Sequence, residues 1–173
     1  MRYAVLLRGV NVGGVKVKMA VLRDAFADAG FDEVKTLLAS GNVLLDSADK
    51  PAKVKETAQQ VLRDTFGYDA WVLVYDLGQI REIVDGYPFE RSDDDKQPYV
   101  IFSEDGASAK ELGVIGDLDP ALEQTKPGPH SVLYWEVTKG ETLHSVVGKA
   151  SSKAKYKRTT TTRNLRTVEK LLT

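Results

Sequence analysis

The sequence predicts an α+β protein of two subdomains, the first a β-α-β-β-α-β unit whose antiparallel sheet carries both helices on one face. Three observations predict it. Residues 3–7 form an almost wholly apolar run, the pattern of a central strand buried on both faces. Two stretches repeat apolar residues at helical spacing and each ends on a glycine, Gly30 and Gly67. Between them, two short strand-like runs flank Ser40-Gly41-Asn42.

Taken in order, the strand over 3–7 leads into Arg8-Gly9-Val10-Asn11-Val12-Gly13-Gly14-Val15-Lys16-Val17-Lys18, a glycine-rich turn with two lysines. Met19, Leu22, Phe26 and Ala29 then mark a helix of about three turns. Residues 34–39 and 43–46 are strands, joined by a turn in which Gly41 and Asn42 suit positive φ. Asp49 and Pro51 open a second helix, and Val54, Ala58, Val61, Leu62 and Phe66 form its apolar stripe. Residues 70–75 make the fourth strand, completing a split βαβ, ferredoxin-like order over residues 1–76.

Residues 77–97 read as a helix and a linker. Asp76 and Gln79 form a capping pair, Ile80, Ile83 and Val84 face inward, and Gly86-Tyr87-Pro88 ends the helix. The polar stretch 91–97, with Asp93-Asp94-Asp95, is an exposed link whose charges are solvated rather than spaced as a calcium loop. Residues 98–173 form the second, smaller α+β subdomain. It has a strand over 99–103 and a short helix opened by a Ser108/Glu111 capping box. A turn at Lys126-Pro127-Gly128-Pro129 and a strand over 131–137 follow. Leu143, Val146, Val147, Ala150 and Ala154 mark one face of a helix, and Lys149, Lys153 and Lys157 follow one another at i, i+4 on another. Residues 159–162 are β-branched and extended; Thr162 or Asn164 caps a last helix carrying Leu165, Val168 and Leu172 inward.

Composition narrows the function classes. No apolar run approaches the ~20 residues of a bilayer span, and Met1-Arg2-Tyr3 enters a strand pattern without a signal-peptide layout. Cysteine is absent, which excludes disulfide and thiolate chemistry and makes the cytoplasm the expected compartment. The net charge of −1 hides an asymmetry. From Val146 onward there are eight basic residues and one acidic, leaving an acidic body on a basic end. Such an end suits a polyanion or an acidic docking partner.

The glycine loop is neither a Walker A motif nor G-x-G-x-x-G. It nevertheless precedes a helix with no Ser, Thr, Asp or Asn just ahead of its first turn, so its leading N–H groups lack a side-chain cap. Arg8, Lys16 and Lys18 add positive charge, the arrangement that receives an anion. Arg163 beside a helix start opposes the macrodipole, a conflict that a shared anion would remove. His130 and His144 stand alone without a metal-ligand pattern, and no nucleophile elbow, zinc pattern or RNA-binding string occurs.

These segments resemble domain-of-unknown-function family 1697, a mostly bacterial group. The resemblance rests on Leu7-Arg8-Gly9-Val10-Asn11-Val12-Gly13-Gly14 with Lys18-Met19, on Ser40-Gly41-Asn42-Val43, and on Thr162-Arg163-Asn164 with Thr167-Val168. The chain departs from the family at Gly86-Tyr87-Pro88-Phe89, where Tyr87 stands in place of the asparagine associated with it. The resemblance implies two α+β subdomains, the first ferredoxin-like. It implies no established activity, cofactor or catalytic residue.

The leading expectation is a module that binds the phosphate of a nucleotide or nucleic acid. Arg8, Lys16, Lys18 and Arg163 would supply charge, Gly13 and Gly14 backbone N–H groups, and Asn11, Asn42 and Asn164 orientation. Lys149, Lys153 and Lys157 are the nucleic-acid candidates. These stretches are expected to converge. Two alternatives stay open: an enzyme acting on a small phosphorylated or carboxylated substrate, and a protein-interaction module with a basic docking tail. No catalytic residue, metal or cofactor is read from the sequence, and no membrane partner.

Overall fold

A computed structural model describes residues 1–10 and 15–173. The chain forms an α+β fold in two compact units, Met1–Ile80 and Arg81–Thr173, each built on a four-stranded antiparallel sheet. Among the described residues, no helix is long and apolar enough to cross a membrane.

The first unit runs β1 (Arg2–Leu7), α1 (Met19–Asp28), β2 (Asp32–Leu37), β3 (Asn42–Asp46), α2 (Pro51–Phe66) and β4 (Val72–Asp76). Its strands lie in the order β2-β3-β1-β4, every neighbour antiparallel. Each β-α-β crossover therefore brackets a strand from the other crossover, as the sequence order predicts. Tyr3, Val5 and Leu7 alternate onto the core face with Leu22 and Phe26 of α1 and Val54, Ala58 and Leu62 of α2. Ala4 and Leu6 point the other way and are also buried, which is why β1 reads as an unbroken apolar run. Full burial of each such Leu or Phe contributes about 1.5–3 kcal/mol.

The predicted helix ends hold. Gly30 has φ +96° just beyond α1, and Gly67 takes the left-handed conformation after α2, its N–H donating to Arg63 O at 2.9 Å. Helix α3 (Leu77–Asp85) starts on the predicted capping pair: Asp76 N donates to Gln79 Oε1 at 3.0 Å and Gln79 N to Asp76 Oδ1 at 2.9 Å. The hairpin between β2 and β3 differs in one respect. Leu38 and Gly41 take positive φ, whereas Asn42 is already the first residue of β3.

The second unit continues from α3 through β5 (Lys96–Ser103), α4 (Ala107–Gly113), β6 (Glu123–Pro127), β7 (Leu133–Thr138), α5 (Val146–Ser151), α6 (Ala154–Lys157), β8 (Thr160–Asn164) and α7 (Leu165–Lys170). Its sheet order is β6-β7-β5-β8. Ile101, Leu133, Trp135 and Val137 pack beneath Ala109 and Leu112 of α4 and Val147 and Ala150 of α5.

The structure departs from the sequence pattern in four places. Strand β6 was not foreseen, because Glu-Gln-Thr-Lys-Pro is a polar edge strand without apolar alternation. The Ser108/Glu111 capping box does not form: Gly106, at φ +79°, is the N-cap, the Ser108 hydroxyl meets that of Thr159, and Glu111 reaches Lys155 and Tyr156. The single helix expected over 143–154 is broken into α5 and α6. The hydroxyl of Ser152 donates to Lys149 O at 2.8 Å and that of Ser151 to Gly148 O at 3.2 Å. These bonds take up carbonyls at the helix end, and Lys153 then turns extended with ψ 145°. Lys149, Lys153 and Lys157 thus do not share one continuous helical face. Lastly, the extended stretch expected over 159–162 runs on as β8 through Arg163 to Asn164, the N-cap of α7.

A candidate anion-binding face

In the first unit, Arg8 leaves β1 with its N–H donated to Trp71 O at 3.1 Å. Leu7 N donates to Gly41 O at 2.8 Å, so the start of the glycine loop is held against the Ser40–Asn42 turn. Gly41 is required there: a Cβ would come within 2.7 Å of Val10 and 2.8 Å of Leu7. Asn42 is fully buried, its amide donating to Leu37 O at 2.8 Å and Ser40 Oγ at 2.9 Å. Its visible work is to close the hairpin. Lys16 and Lys18 are exposed on either side of buried Val17. Asn11, Gly13 and Gly14 lie outside the described residues. Two of the three motif stretches therefore meet within this unit.

The same unit carries an acidic depression of about 460 Å³ between α1 and α2, where Asp24, Asp28 and Asp64 surround Val21, Ala25 and Val61. That field repels anions.

The third motif belongs to the second unit. Arg163 is 6% exposed, pairs across the sheet with Val100, and donates through Nη1 to Thr161 Oγ1 at 2.6 Å and Thr162 O at 3.1 Å. Burial pulls its pKa down to about 10, which still leaves it charged at neutral pH. Asn164 caps α7: its Oδ1 accepts from Arg166 N at 2.9 Å, and its Nδ2 donates to Gln97 Oε1 at 3.1 Å. The amide side chain thus already serves the helix start at which a shared anion was expected.

The second unit also holds an exposed group of candidate cations. A depression of about 420 Å³ is bounded by Ile115, Val146, Lys149, Ala150, Lys153 and Tyr156. Lys149, Lys153 and Lys157 are exposed, and none has an ion pair among the described residues. Nearby, Glu111 accepts from Lys155 Nζ at 2.8 Å and from the Tyr156 hydroxyl at 2.9 Å. Those two hydrogen bonds, that of Lys155 first, hold its carboxyl below the usual range. The Lys155 ammonium lies 5.5 Å from the Tyr156 ring centroid, a cation–π distance. The floor is anchored below: Ile115 and Tyr156 pack against the cluster of Trp135, Val147 and Ala150.

What positions this face is a residue the sequence reading missed. Glu123 on β6 is 2% exposed, and its carboxylate accepts from Val146 N at 2.8 Å and Val147 N at 2.9 Å. Ser145 completes the cap, accepting from Gly148 N at 3.0 Å and donating to Thr142 O at 2.9 Å. The start of α5 is therefore already filled by an internal anion. Gly148 lies so close to the preceding loop that a Cβ would stand 1.7 Å from Thr142 O. A glycine inside a helical pattern was the available signal, since it weakens a helix unless close approach demands it.

Among the described residues, no cluster of three or more His, Asp or Glu is placed to hold a metal ion. His130 pairs with Glu82, and His144 is exposed.

With this geometry in place, comparison with known proteins fixes the family. The chain is similar over 98% of its length to 96% of the solved structure of the conserved bacterial protein SP0830 from Streptococcus pneumoniae, at 25% identity and a TM-score of 0.81. No curated protein matches it. The model of the family described as "Protein of unknown function (DUF1697)" matches residues 1–134, which includes the glycine loop and the Ser40–Asn42 turn and stops short of α5. The chain belongs to the DUF1697 family.

Proposed function

We propose that this protein is a cytoplasmic, phosphate-recognising binding module, its ligand a nucleotide or nucleic-acid phosphate, with the α5–α6 face as the binding surface. One observation carries the reading: Lys149 and Lys153 border an apolar depression, Lys157 follows them, and all three are without carboxylate partners among the described residues. Exposed ammonium groups beside one another repel, and a phosphate relieves that repulsion. In this reading the ferredoxin-like first unit carries candidate cations of its own, Arg8, Lys16 and Lys18.

An experiment tests it directly. Isothermal titration with 5′-mononucleotides and with a short oligonucleotide, at low salt, gives saturable binding. Lys149→Ala and Lys153→Ala each weaken it, with the thermal midpoint unchanged because both side chains are exposed. Absence of saturable binding to every phosphate ligand overturns the reading.

A further inference from the structure

We infer that the α5–α6 face takes single-stranded nucleic acid, with an unpaired base seated against Ile115, Val146 and Tyr156 and flanking phosphates on Lys149, Lys153 and Lys157. This rests on the phosphate reading above and names the ligand class of the same surface.

Two features select a strand. The first is the chemistry of the depression. A surface meant only for phosphate has no use for a hydrophobic floor, yet Val146 is 42% exposed at this one and Ile115, Ala150 and Tyr156 line it beside two lysines. An apolar and aromatic floor with a cationic rim matches a nucleotide whose base is free to leave its stack. In a duplex the base faces are stacked inside, so only the phosphates would find partners.

The second feature is the number and placement of the cations. A mononucleotide needs one or two ammonium groups. Here Lys157 continues past the pocket rim, at the far end of α6 from Lys153. The break between α5 and α6 distributes the three cations along the chain, Lys149 in α5, Lys153 as the N-cap of α6 and Lys157 at its end. Tyr156 is set in advance for this role. Its hydroxyl is held by Glu111 and Lys155 sits by its ring, so little side-chain freedom is lost on binding.

The test is fluorescence anisotropy with a labelled 12-nucleotide single strand, as RNA and as DNA, the matching duplex, and unlabelled mononucleotide as competitor, each at two salt concentrations. The single strand binds more tightly than the duplex. Lys153→Ala lowers the slope of log affinity against log salt by about 0.7. Tyr156→Leu weakens binding about five-fold or more and leaves the slope unchanged, while Tyr156→Phe, which keeps the ring and loses only its hydroxyl tether, weakens it less. Val146→Ser, at an exposed position, is the companion variant should Tyr156→Leu fold poorly, and it weakens strand binding in the same way. Equal or tighter duplex binding overturns the inference. So does insensitivity to Val146→Ser and Tyr156→Leu with the lysine dependence intact, or mononucleotide competing as well as the strand. In those cases phosphate recognition itself stands. No binding of any of these ligands removes both.

Discussion

Glu123 shows how one buried charge organises a surface. Its carboxylate serves the two leading N–H groups of α5 in a site closed to water, where a lost acceptor is not replaced by solvent. Charge-assisted bonds of this kind contribute about 1.5–3 kcal/mol each against the unmade state. Glu123→Ala is therefore expected to lower the thermal midpoint by on the order of 5–10 °C in circular-dichroism melting, and Glu123→Gln, which keeps one acceptor, by less. Gly148→Ala tests the same construction from the other side. The added methyl meets Thr142 O and forces the loop outward, at about 1–3 kcal/mol. Both variants should weaken ligand binding as a secondary effect, since Val146 and Lys149 ride on the displaced turn. A wild-type melting curve for Glu123→Ala would mean that its carboxylate does not hold α5.

At the scale of elements, legibility followed locality. The Asp76/Gln79 pair is four residues of sequence and forms as read, so Asp76→Ala should cost about 1 kcal/mol and shift the midpoint by about 2–4 °C. Helices α1 and α2 were equally legible, because apolar spacing and the glycines at their ends sit in the same window. Where the determinant was distant, pattern reading failed. Strand β6 is polar along its length and exists through its pairing with β7. The break after α5 arises from serine hydroxyls that bond their own helix, and its start is held by Glu123, more than twenty residues upstream. Strand β8 runs longer than read for a related reason: it extends two residues beyond β-branched Thr160–Thr162, because pairing with β5 carries it to Asn164. At the candidate site, the lysines were visible in sequence. The apolar floor was not, since Ile115 and Tyr156 come together only through the core cluster.

On the scale of the whole chain, charge is segregated: an acidic body precedes an end in which eight basic residues face one acidic. The acidic depression of Asp24, Asp28 and Asp64 and the basic one of Lys149 and Lys153 are local expressions of that split. For an anionic ligand the two have opposite effects of different range. The lysines act in contact, through counterion release, while the aspartates act through the field around the molecule. Field effects extend about 30 Å at 0.01 M salt but only about 8 Å at physiological ionic strength. The triple variant Asp24→Asn, Asp28→Asn, Asp64→Asn should therefore raise oligonucleotide affinity and association rate at low salt, and the gain should vanish as salt rises to the physiological range. Lys153→Ala should lose affinity under both conditions. Stopped-flow association rates with a labelled single strand, taken across a salt series, separate the two. A gain from the aspartate variant that persists at high salt would place the acidic depression in contact with the ligand, and a ligand-binding surface confined to α5 and α6 would then have to be abandoned.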